Sequence, residues 1–121
     1  ARVLLLRCVR NWMIRLTLEN LNKKASVDLL GQNVSAKDLK GLDGLDQIYS
    51  YGTGFFSAES ISIELTEKLR NKQYDFVLIP VANNHLQGYQ NVLEVAETIL
   101  PKEILYVYPE GHLQPAQPVT I

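Results

Sequence analysis

Tyr74-Asp75-Phe76-Val77-Leu78-Ile79-Pro80-Val81-Ala82-Asn83-Asn84-His85-Leu86-Gln87-Gly88 is the stretch on which the fold turns. Phe76 to Ile79 is a continuous apolar run, the pattern of a strand buried on both faces, as in a parallel sheet. Pro80 has no N–H to give a ladder, so regular pairing is expected to stop about there. Asn83, Asn84 and His85 follow at once, three neutral polar groups. In open parallel α/β sheets, ligands sit just beyond the carboxyl ends of such strands.

Upstream, Val3-Leu4-Leu5-Leu6 predicts a first buried strand over about Arg2 to Val9. Asn11 can cap a helix running to about Lys24, with Ile14, Leu18 and Leu21 on its inward face. Ser26 to Leu30 predicts a second strand ended by Gly31, and Ser35 to Leu39 a turn or two of helix. Gln47 to Tyr51 alternates and is rich in β-formers, which suits a third strand at an edge. Ser57 is placed to cap a helix with Ile61, Leu65 and Leu69 on one face. Downstream, Val92, Val95, Ala96 and Ile99 give a stripe at helical spacing from about Gly88 to Leu100, stopped by Pro101. Ile104 to Tyr108 predicts a fifth strand, and the proline-bearing residues 111–121 an irregular tail or the start of a linker.

Strands alternating with helices imply right-handed crossovers and a parallel sheet. The expected fold is a single α/β domain over residues 1–110: a Rossmann-like three-layer α/β/α arrangement with five parallel strands in the order 3-2-1-4-5. The winding then reverses between strands 1 and 4, so Arg10 and Asn11 are expected to share a crevice with Asn83, Asn84 and His85.

The composition narrows the class. In 121 residues with net charge −1 there is no general attraction to nucleic acid or to acidic lipid. No apolar run approaches the roughly 20 residues that span a bilayer, and Arg7 and Arg10 interrupt the pattern of a signal peptide. A single cysteine, Cys8, excludes an internal disulfide and suits a reducing compartment, so a cytoplasmic location is expected. Opening on Ala1 rather than Met leads us to expect a processed or trimmed piece.

Each candidate group has a plain structural reading beside the chemical one. The amides and imidazole of Asn83, Asn84 and His85 can donate to and accept from sugar hydroxyls, or they can merely make a turn and cap the next helix. Arg10 can grip a phosphate or carboxylate on its bidentate fork, or lie solvated in a loop. Asn11 serves as a helix cap and cannot take up a proton at neutral pH. Gly52-Thr53-Gly54 begins a phosphate-loop pattern that Ser57 leaves incomplete, so no nucleotide cofactor is read from it. Phe55 and Phe56 instead suit a loop that touches a partner or an acceptor. Cys8 reads as a core residue, and His112 has no Cys or His at metal-ligand spacing, so no metal and no cofactor is expected.

A family pattern runs along most of the chain. Arg2-Val3-Leu4-Leu5-Leu6-Arg7, Leu18 to Lys24, Val27-Asp28-Leu29-Leu30, Leu45-Asp46-Gln47-Ile48 and Leu69 to Ile79 occur in its order. On these pieces the chain resembles the N-terminal domain of heptosyltransferase-type glycosyltransferases, two-domain enzymes of the GT-B fold. The resemblance implies an acceptor-side domain that serves sugar transfer from a nucleotide sugar to a glycan or lipid acceptor. The nucleotide sugar would bind only with a C-terminal domain missing here, so the chain alone is expected to be inactive. In that family the first turn carries Gly-Asp, whose aspartate is the expected base; here the matching place reads Arg10-Asn11. The competing readings are a small-molecule binding module or a protein-interaction module without catalysis, and self-association is open to all three.

Overall fold

The computed structural model describes residues 1–8, 11–21, 25–32, 44–52, 57–81, 89–108 and 113–115. Its strands are β1 (Arg2–Leu6), β2 (Ser26–Gly31), β3 (Leu45–Ser50), β4 (Phe76–Pro80), β5 (Glu103–Val107) and β6 (Leu113–Pro115). Its helices are α1 (Asn11–Asn20), α2 (Ile63–Asn71) and α3 (Gln90–Ile99), with a single 3-10 turn at Ala58–Ser60. The strands form one sheet in the order β3-β2-β1-β4-β5-β6.

Two sequence expectations are corrected here. The sheet was expected to have five strands, all parallel; it has six and is mixed, because β6 pairs antiparallel with β5. The tail over residues 111–121 was expected to be irregular, yet Leu113–Pro115 adds that sixth strand. A connection as short as residues 108–112 can deliver only an antiparallel neighbour. Three residues are too few to show a period, and Pro115 is tolerated because β6 lies at an edge.

The two faces of the sheet follow from alternation along the strands. Val3, Leu5, Val27, Leu29 and Leu78 point to the α1 side and pack with Ile14. Leu4, Leu6, Leu30, Val77 and Ile79 point the other way, toward Leu69 of α2 and Val92, Val95, Ala96 and Ile99 of α3. Leu5 and Leu78 are direct partners in the parallel β1–β4 ladder and are 0% and 2% exposed. All six tyrosines lie on the α2/α3 side: Tyr49, Tyr74, Tyr106 and Tyr108 in its core, Tyr51 and Tyr89 packed against it.

Local chemistry sets the helix ends. The cap of α2 is Ser62 rather than the expected Ser57, and its Oγ accepts from the Leu65 N–H at 3.1 Å. Ser57 precedes the 3-10 turn instead. α3 ends at Leu100, which takes the left-handed conformation (φ 58°) just before Pro101. Pro80 is still in register with Val107, and the Val81 N–H extends the ladder to the Val107 carbonyl at 2.9 Å. Among the described residues, no helix is long and apolar enough to cross a membrane.

Candidate functional site

The β1–α1–β2 and β4–α3–β5 units wind to opposite sides of the sheet, so the chain diverges above the carboxyl ends of β1 and β4. At the floor of that crevice the Cys8 thiol donates to the Pro80 carbonyl at 3.3 Å, joining the two strand ends. Burial pushes this thiol up to about 12, outweighing the opposing effect of its backbone hydrogen bond. It therefore stays protonated at neutral pH and does not act as a nucleophile, which agrees with its reading as a core residue.

The floor's backbone is committed as well. The Arg7 N–H goes to the Leu30 carbonyl (2.8 Å), the Cys8 N–H to Leu6 (3.0 Å) and the Val81 N–H to Val107 (2.9 Å). α1 and α3 both begin at this end of the sheet, and their first N–H groups give it a positive potential. Tyr89 stands at the cap position of α3 without a side-chain capping bond. The described part of the crevice is thus a rigid, uncharged floor beneath two helix starts.

Of the candidate residues read from the sequence, Arg10, Asn83, Asn84 and His85 lie outside the described residues, as do Phe55, Phe56 and His112. Asn11 is the first residue of α1, and its side chain lies outside the described set. Cys8 and Val81, the described residues nearest the two segments, stand at the ends of adjacent strands. Gly52, which opens the Gly52-Thr53-Gly54 stretch, has φ 103°, a conformation that suits glycine.

A second polar cluster was not singled out by sequence reasoning. Asp28, on β2, is 4% exposed. Its Oδ2 accepts from the Tyr74 hydroxyl at 2.6 Å and lies 4.0 Å from Lys72 Nζ. Its Oδ1 accepts from the Gln47 N–H at 3.1 Å. That N–H is presented because the β2–β3 register shifts: Val27 faces Leu45 while Asp28 faces Gln47, leaving Asp46 as an extra residue on β3. Asp46 is held by the Ser26 hydroxyl. Burial first, and then Asp28, raise the Tyr74 hydroxyl above the ordinary tyrosine range, so it remains a donor. Lys68 lies over the Tyr49 ring at 5.4 Å from its centre.

This cluster pins a bulge; its carboxylate is enclosed and fully partnered, which fits support rather than turnover. The sequence signal was a lone acidic residue in an apolar strand, with its tyrosine partner 46 residues away. Among the described residues, no group of His, Cys, Asp and Glu side chains could hold a metal ion.

Compared with protein-family models, with curated proteins and with solved structures, the chain matches none.

Proposed function

We propose that this chain is the acceptor-side domain of a glycosyltransferase-like protein, which binds a sugar, glycan or lipid-linked acceptor and is inactive alone. In this reading β1 to β5 are a Rossmann-like core to which β6 is an antiparallel addition. The observation that carries it is the reversal of winding between β1 and β4. Their carboxyl ends adjoin, and from them the chain continues into Arg10 and Asn11 on one side and Asn83, Asn84 and His85 on the other. Amide and imidazole groups over a neutral floor suit hydroxyl-rich ligands, which need both donors and acceptors. A reducing, cytoplasmic setting belongs to the same proposal and rests on the single Cys8.

One observation favours the second reading, a binding module without catalysis. Residues 7–18 and 76–93, the two stretches that enter the crevice from β1 and β4, contain no Asp or Glu. Neither supplies a carboxylate base, and the Cys8 thiol stays protonated.

The test is to probe the purified chain with a glycan array, then titrate ADP-, UDP- and GDP-sugars by calorimetry while assaying nucleotide release. Retention of a glycan class, with donors bound weakly and no nucleotide released, is the expected result. Micromolar donor binding with steady turnover would sink the acceptor-side reading. Silence on the array would sink the glycan ligand in either reading.

A further inference from the structure

No further inference is drawn: the strongest candidate, the apolar patch of Pro101, Ile104 and Pro115 beside the exposed Leu113 at the β5–β6 edge, is a surface for which nothing in the structure shows what covers it.

Discussion

At the amino ends of the strands, polar groups lock neighbouring segments together. The Arg2 N–H donates to Asp75 Oδ2 (2.9 Å) while the Asp75 N–H returns to the Arg2 carbonyl (2.8 Å). The Arg2 guanidinium reaches the Lys72 carbonyl (2.8 Å), and Lys102 pairs with Asp75 (3.0 Å). The connections arriving there are short, residues 72–75 before β4 and 100–102 before β5. At the carboxyl ends the cross-strand ties beyond the ladder reduce, among the described residues, to Cys8 and Pro80. The connection leaving β4 there runs over residues 81–89. Short connections with reciprocal bonds fix strand order and register, whereas a longer connection has side chains to spare for a ligand. The comparison therefore divides the labour: the amino end and the Asp28 cluster hold the sheet, and the carboxyl end is where binding is to be sought.

Leu78→Ala should produce the largest loss of stability and so set the scale. Leu78 sits midway along β4 opposite Leu5, and truncation removes apolar contact and leaves a cavity, at a cost of about 2–5 kcal/mol. Urea unfolding monitored by circular dichroism measures it. A loss under about 1 kcal/mol would mean that the central ladder is not the rigid base on which the comparison rests.

Asp28→Ala comes next. It leaves the buried Tyr74 hydroxyl and the Gln47 N–H without their acceptor, for which about 2–4 kcal/mol is expected. Asp28→Asn keeps a carbonyl oxygen in place and should cost less. If Asp28→Ala instead leaves stability unchanged and alters ligand binding, the cluster is a site and the division of labour is wrong.

These two positions also mark how far the sequence could be read. Leu5 and Leu78 were legible because a run of apolar residues bounded by turn-formers has few burial solutions, and the α3 stripe was legible through its period. The bulge at Asp46 was not, since it is settled by Asp28 and Tyr74, which meet only in the folded sheet. Ser57 and Ser62 are both competent caps, and tertiary packing of Ile61 and Leu69 decides between them. β6 escaped notice because three residues ending in proline carry no pattern. For the site, the order of β1 and β4 could be anticipated, while Asn83, Asn84 and His85 lie outside the described residues.

A smaller effect should appear only in alkali. The Tyr74 pKa is raised on folding, so the stability linked to its neutral form is complete below the ordinary tyrosine value. It is lost as pH climbs past about 10, at up to roughly 1.4 kcal/mol per pH unit. Burial also raises Tyr51 and Tyr106, so the wild type carries their slopes as well. The informative quantity is the difference between wild type and Tyr74→Phe across pH 9 to 11. The variant should be less stable at neutral pH by about 1 kcal/mol and should lose stability more gently above pH 10. Parallel curves would mean that the Tyr74 hydroxyl ionises in the folded state as freely as in the unfolded one.

The smallest change in stability is expected at the other end of the sheet, from Asn84→Ala and His85→Ala. Both residues follow the end of β4, in a connection rather than a regular element, where substitutions usually shift stability by no more than about 0.5 kcal/mol. Their effect on binding should be the reverse. A hydroxyl-rich ligand held by a few convergent donors and acceptors loses one or more hydrogen bonds with each truncation, and each is worth roughly 0.5–1.5 kcal/mol. For any glycan retained on an array, affinity should therefore fall about 2- to 10-fold per variant, with unfolding midpoints unchanged. His85→Ala should also remove any dependence of that affinity on pH between 5 and 8, since histidine alone among these side chains changes charge there. Should both variants unfold several degrees early while the glycan binds as before, the two residues would be supports like Asp28, and the ligand would have to be sought away from this crevice.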